Sequence, residues 1–565
     1  MVSVILNWIY ILITTFIVGF GVLRLLTRHF AYQVKHADAY LVCGLVCVTV
    51  YAQFFSLFAG VGLLANSLLL AACLVISWRE RAEIAEGLSQ CITKWDREEK
   101  RRLCLKGLLY AVVFLLFAYG ASRGQIHYDT GLYHAQSIRW IEEYGMVKGL
   151  GNLHCRLAYN SSSFALSALY SMAFLGGQSY HCTAGWLAFL LAAVCLEMGK
   201  PLRQGRLRGG SFARVMCVYY LVNIFDEMIS PASDYFMVLL AFYIVIRFLD
   251  LCESGERTIL PYGLLCVLGV FLMTVKLSAA LILLLTVYPA VRLLREKKWG
   301  ETGVYLGLGL VTAAPFFIRN VMISGWLVYP FTQIDLFDAA WKIPKGLADY
   351  DAREIQVYGR GYTDVGQFDL PVREWLPGWF RTLAGSDKLL VIAAAVSVII
   401  LLVYGVGMIF GWWKRRWGIL LVQGTVAASF AFWLCTSPLI RYGCVWVYLT
   451  PAVALGGIYD AVMYSKEGGK MDAVGRVVSA AVILLFLYKG FALARETADS
   501  YVNDYWLIQK DYENYETYAY GIDGVTFYCP VEGDRVGYEA FPSSPTKVQI
   551  KFLGNGIADG FHAAE

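Results

Sequence analysis

Apolar residues in this chain come as long unbroken runs, not as the narrow stripe of a soluble helix or the alternation of a half-buried strand. A helix that crosses a bilayer needs about 20 largely apolar residues, because hydrocarbon offers its backbone no outside hydrogen-bond partner. Such runs lie at 4–26, 38–58, 60–78, 107–122, 182–198, 211–224, 234–250, 258–274, 277–293, 303–319, 388–411, 417–435, 442–462 and 475–494. The pattern predicts about 14 spans. The first run has neither a basic segment before it nor a small-residue cleavage site after it, so it reads as an anchor rather than a signal peptide.

Basic residues orient the spans, since Lys and Arg collect in cytoplasmic loops. The connection Trp78 to Lys106 holds Arg79, Arg81, Lys94, Arg97, Lys100, Arg101, Arg102 and Lys106, which assigns it to the cytoplasm. Alternation then puts Arg24 to Lys35, Lys200 to Arg214, Arg292 to Lys298, Lys414 to Arg416 and Lys466 to Arg476 on the same side, and each of these is basic. The scheme holds only if the apolar stretch 161–177 does not cross; it reads as a helix at the outer surface or dipping in from it. Three segments stay outside: loop 123–181, the Asp-, Gly-, Trp- and Pro-rich segment 320–387, and the tail from about 497. Strand-like runs in the tail, at 525–528 and 547–550, predict a small β-containing cap.

Composition sharpens this picture. Of 565 residues, 58% are hydrophobic and 16% charged, and the mean hydropathy is +0.55. A soluble fold could not bury that much apolar surface, so a soluble enzyme, a disordered regulator and a disulfide-stapled secreted module are excluded. The net charge of +5 reads as topology bias, with no polybasic block to suggest nucleic-acid binding. The 14 cysteines mostly sit inside apolar runs and lack metal-ligand spacing; Cys155 and Cys529, both outside, leave room for one disulfide.

The chemistry lies at the outer rim. Span centres are nearly free of ionisable residues, whereas pumps and transporters place them near the midplane. The densest polar stretch is His127-Tyr128-Asp129-Thr130-Gly131-Leu132-Tyr133-His134. A helix starting near Asp129 would carry Tyr133, Trp140, Ile141 and Tyr144 on one side and could lie in the headgroup layer, with Asp129 at its N-terminus. Asp129 equally reads as a helix cap, and both histidines as interfacial anchors. His154, Arg156 and Asn160 lead into the 161–177 helix; Asn160-Ser161-Ser162 also fits the glycosylation pattern, a weak match.

Asp234 opens a span as a second outer carboxylate, or as another cap. Lys276 is wedged between two apolar runs, where it either snorkels or meets an anion. Arg319-Asn320 ends a span and leads to Tyr329-Pro330, and Arg441-Tyr442 lies in a short outer hairpin. Three outer cations run against the positive-inside bias, and an anionic ligand such as a lipid phosphate would account for them. Asp349-Tyr350-Asp351 matches a D-x-D metal pattern of the kind an Asp-rich loop produces by chance.

Together these segments resemble the GT-C superfamily of integral-membrane glycosyltransferases, which use polyprenyl-phosphate-linked sugars. The likeness rests on Tyr128-Asp129…Tyr133 after a membrane helix and on a second outer helix from Asn160 to Phe174. It rests also on Lys276-Leu277-Ser278-Ala279, on Arg319-Asn320…Gly325…Tyr329-Pro330, and on a late Pro438-x-x-Arg441-Tyr442. The set also looks like a group of uncharacterised bacterial multi-pass membrane proteins of this type, including Asp559-Gly560-Phe561 in the tail.

The resemblance implies an all-α polytopic fold with a GT-C-like core at 107–496, a three-helix addition at 1–106 and an extracytoplasmic tail at 497–565, in a bacterial inner or plasma membrane. It implies Asp129 as catalytic base. His127, Tyr128, Tyr133, His134, His154, Arg156, Asn160, Asp234, Lys276, Arg319, Asn320, Tyr329, Arg441 and Tyr442 would then bind substrate, the cations holding the donor's phosphate. The partners would be a polyprenyl-phosphate-linked sugar, a glycan, lipid or protein acceptor, and the bilayer. Several GT-C families carry adjacent acidic residues where this chain has Tyr128-Asp129-Thr130, which leaves a divalent metal and the acceptor type open. An O-antigen-polymerase-like or flippase-like assembly protein, a transporter and a non-catalytic scaffold are the other readings.

Overall fold

The computed structural model describes residues 1–30, 32–86, 97–412, 416–463, 470–499, 501 and 504–563. Lys94, Lys414 and Lys466, used above to orient the chain, lie outside the described residues. The chain begins with α1 (Val2–Phe30), α2 (Asp38–Ser56), α3 (Leu63–Arg79) and α4 (Arg97–Arg123). The first outer loop holds a π-turn at Thr130–His134, α5 (Ala135–Glu143) and α6 (Ser162–Leu169). Then come α7 (Thr183–Cys195), α8 (Gly199–Gln204), α9 (Gly209–Asn223), α10 (Ser233–Ser254) and α11 (Leu260–Val275). A 3-10 helix at Leu277–Thr286 runs into α12 (Val287–Arg295), followed by α13 (Trp299–Ser324). The second outer segment holds α14 (Lys345–Gly359) and α15 (Val372–Thr382), and α16 (Gly385–Ile409), α17 (Trp417–Thr436), α18 (Ile440–Met463) and α19 (Lys470–Asp499) complete the bundle.

Every predicted span is a helix, but among the described residues eleven, not fourteen, are long and apolar enough to cross a membrane. The three that fall short are α3 with 17 residues, α9 with 15 and α11 with 16. At 1.5 Å per residue these reach roughly 22–26 Å, less than the ~30 Å hydrocarbon core. The chain is a multi-pass membrane protein. Its central helix is α10, buried without a break from Tyr235 to Leu249, as expected of a helix apolar on all sides. The N-terminal helices share this core: Trp8 donates to the Cys182 carbonyl at 2.8 Å and Asn7 to that of Tyr170 at 2.7 Å.

Polar contacts divide into two rims. At one, Arg24 pairs with Glu80 at 2.7 Å, Lys35 with Glu256 and Arg416 with Asp460 at 3.2 Å, while Arg476 lies against Gly205. These are the segments expected to share the cytoplasmic side. At the other rim the Met1 amine donates to the Tyr505 carbonyl at 2.6 Å, and Val61 N–H to Ile141 at 2.9 Å.

Two outer helices are enclosed by the rest of the protein. Helix α6 has eight residues, about 12 Å, and all eight are buried in protein rather than lying on the surface. Helix α5 does not lie in the headgroup layer either, because the tail covers it: Trp140 is fully buried against Phe541 and Phe561. The tail forms two small antiparallel pairs, β1 (Thr517–Ile522) with β2 (Val525–Pro530) and β3 (Ile550–Phe552) with β4 (Phe561–Ala563). Cys155 and Cys529 are free thiols, the latter 3.8 Å from the Ser544 hydroxyl, so they form no disulfide.

Candidate functional site

Two helix breaks build the outer rim. Helix α11 stops at Lys276, whose backbone is extended at φ −152° and ψ 120°. The carbonyls freed there are met by α6: Ser161 Oγ donates to Val275 O at 2.8 Å and Ser162 Oγ to Thr274 O at 3.1 Å. With its backbone so held, Lys276 reaches the carboxylate of Asp234 in the first turn of α10. Gly443 interrupts α18 just after Arg441 and packs on Trp433. The Arg441 guanidinium is thereby aimed at Asp129, whose Oδ2 accepts from Nη2 at 2.8 Å. Asp129 makes no cap bond, so its side chain serves this ion pair rather than a helix end.

Tyr442 lies between the two pairs, with Lys276 Nζ 4.3 Å and the Arg441 guanidinium carbon 5.1 Å from its ring centre. Asp129, Arg441, Lys276 and Asp234 sum formally to zero, with both cations beside Tyr442 and a carboxylate behind each.

These groups line a cavity of about 580 Å³, well within the usual range for a small-molecule pocket. Tyr128, Asp129, Tyr133, Arg156, Asn160, Asp234, Lys276, Asn320, Tyr329, Arg441 and Tyr442 all line it. Four predicted residues do not. His127 sits behind the wall, against Arg441, its Nδ1 receiving the Asp129 backbone N–H at 3.1 Å. Burial and the Arg441 charge hold it below its ordinary pKa, so the ring is a neutral support. His134 and His154 are likewise kept neutral by burial, His154 down to about 3. Arg319 faces away, toward Ser56 Oγ and Asn160 Oδ1, the latter at 3.2 Å.

Arg156 belongs to a further network on the cavity wall. Its guanidinium donates to Tyr159 Oη at 2.9 Å and Glu354 at 2.8 Å, and Asp351 accepts from Tyr159 at 2.5 Å and Tyr329 at 3.0 Å. Burial and Asp351 raise both phenols, which remain donors. Asp349 turns instead to Thr332 and to Lys345 at 2.5 Å, so the two aspartates of the D-x-D pattern do not converge. Asn160 donates to Phe316 O and Asn320 Oδ1, both at 3.0 Å, which commits its amide to the interior rather than to glycosylation.

The residues missed from sequence come mainly from distant segments. Tyr159, Trp433, Ser437 and Asp534 also line the cavity. Asp534 is brought there because Gly131 O accepts the Val536 and Gly537 N–H groups at 2.9 Å each, and Tyr128 Oη donates to its carboxylate. A divalent metal fits poorly here, since Asp129 and Asp234 each already face a cation of the chain. Among the described residues the one metal-like cluster, His36, Asp38 and Glu197, lies at the opposite rim, with both carboxylates held by Arg247.

Fold and site together define a multi-pass helical membrane protein with a charged cavity at the rim opposite its basic loops. Residues 1–448 match the protein family described as "Domain of unknown function (DUF8201)", and the chain belongs to that family. No curated protein and no solved structure matches it.

Proposed function

We propose that the chain is a GT-C-type glycosyltransferase. It would move a sugar from a polyprenyl-phosphate carrier to a hydroxyl of a glycan, lipid or protein acceptor at the extracytoplasmic face. The observation that supports this best is the meeting of Asp129, Asp234, Lys276 and Arg441 in one 580 Å³ cavity, although they are spread over more than 300 residues of chain. Inverting transfer needs one carboxylate to take the acceptor proton and a stabilised phosphate to leave. The acceptor oxygen forms the new bond to the anomeric carbon as the carbon–phosphate-oxygen bond breaks, and the proton passes to Asp129. Charge developing on the phosphate is met by Arg441 and Lys276, with Arg441 the better suited to a two-point contact.

The ion pair gives this chemistry an order. A donor phosphate drawing on Arg441 frees the Asp129 carboxylate to receive a proton, so the base is released only when the donor is present. Asp129→Asn keeps the shape but cannot accept the proton, and should lower transfer by about 10²–10⁴-fold with expression unchanged. Membranes supplied with radiolabelled polyprenyl-phosphate sugars measure this. Wild-type turnover in the mutant would eliminate Asp129 as base. Loss of donor from one leaflet without a new glycosidic product would favour the flippase-like reading instead.

A further inference from the structure

Arg319 presents a physical problem that the cavity does not solve. It sits on spanning helix α13 and is only 3% exposed. Its guanidinium is bonded to two neutral oxygens, Ser56 Oγ and Asn160 Oδ1, and no carboxylate among the described residues faces it. A buried cation without a counter-charge is strongly disfavoured, because neutral dipoles recover only part of its lost hydration.

Beside it lies a second, small pocket of about 20 Å³, separated from the main cavity by Tyr159, Asn160 and Phe164, which line both. Ser137 and Trp140 also line the small pocket, and their Oγ and Nε1 are buried without hydrogen-bond partners. Trp140 is fully buried and Ser137 is 7% exposed. An indole N–H can only donate and a guanidinium can only donate, so the lining asks for an acceptor. A water molecule would accept from them but leave the charge uncompensated. The volume suits a single monatomic or water-sized particle, too small a space for phosphate, sulfate or a carboxylate. We propose that this pocket binds a single halide, chloride in the cell, as the counter-ion of Arg319. Through Asn160, which also bonds Asn320, the ion holds one wall of the main cavity in place.

The test uses the full chain in nanodiscs, with sodium chloride, bromide, gluconate, sulfate or phosphate at matched ionic strength. A ligand that binds only the folded state raises the unfolding temperature with its concentration, so Tm should climb and saturate with chloride and bromide but not with the other three. Equilibrium binding of radioactive chloride should give one site per chain, lost in Arg319→Gln and retained in Arg373→Gln, an exposed control. Should Arg319→Gln not fold, Ser137→Ala and Trp140→Phe keep the cation and each should weaken chloride binding by about fivefold or more, as loss of one hydrogen bond to a charged group requires. Equal Tm in chloride and gluconate, binding that survives in all three variants, or a response to sulfate equal to that of chloride would each overturn the proposal.

Discussion

Tyr442 has two cations against its ring, Lys276 at 4.3 Å and Arg441 at 5.1 Å from its centre, and that placement joins the two acid–base pairs of the outer rim into one unit. Arg441 is the member that contacts both Asp129 and His127. Under the glycosyltransferase reading, Arg441→Ala should raise the donor KM by at least about tenfold, the loss expected for a charge-assisted contact, and Arg441→Lys should recover part of it. An unchanged donor KM in Arg441→Ala would remove its role in phosphate binding. Asp129, Asp234, Lys276 and Arg441 were visible in the sequence because an ionisable residue among apolar runs stands out. Asp351, Tyr159 and Asp534 were not, because their partners are far along the chain: Tyr159 meets Asp351 192 residues on, and Tyr128 meets Asp534 406 residues on. Arg319 stood out for the same reason as Arg441, yet its orientation depends on Ser56 and Asn160, which no local pattern reveals.

Among elements, the break in α18 decides where Arg441 points. A Cβ at Gly443 would overlap the Trp433 indole, whose Nε1 is committed to the Leu439 carbonyl at 2.9 Å. Gly443→Ala should therefore shift the hairpin, lowering stability by about 1–3 kcal/mol as overpacking does and activity by more than that loss explains. A thermal melt alongside the transfer assay separates the two effects; full activity in a stably folded mutant would refute the positioning. Helix positions were readable from apolar runs alone, but their depth was not. The run at 161–177 carries the same hydrophobic signal whether it meets lipid or protein, and only the packing of α6 beneath α2 and α5 shows that it is the latter. Helices α3, α9 and α11 nearly match the length of the apolar runs that predicted them, with 17, 15 and 16 residues.

On the scale of the whole molecule, the outer rim is where histidines are buried. His127, His134, His154 and His181 are all held below their ordinary value chiefly by desolvation, His154 to about 3 and His181 to about 4. A depressed folded value means the unfolded chain takes up protons first, so their contribution is present above pH ~6.5 and lost as acidity moves toward the folded values. His154 and His181 should each cost about 2 kcal/mol between pH 6.5 and 5. Tm should fall over that window, and His181→Asn should flatten the slope; a flat wild-type profile would contradict the buried, neutral assignment. The tail that covers this rim lies beyond residue 448, where the family match ends. Asp129 waits 312 residues for Arg441, and Met1 waits 504 for Tyr505. During biosynthesis, therefore, a nascent chain halted between Asp129 and α18 carries its acidic group with no guanidinium to receive it. Such incomplete polypeptides are marked by a carboxylate whose Arg441 partner has not yet been made.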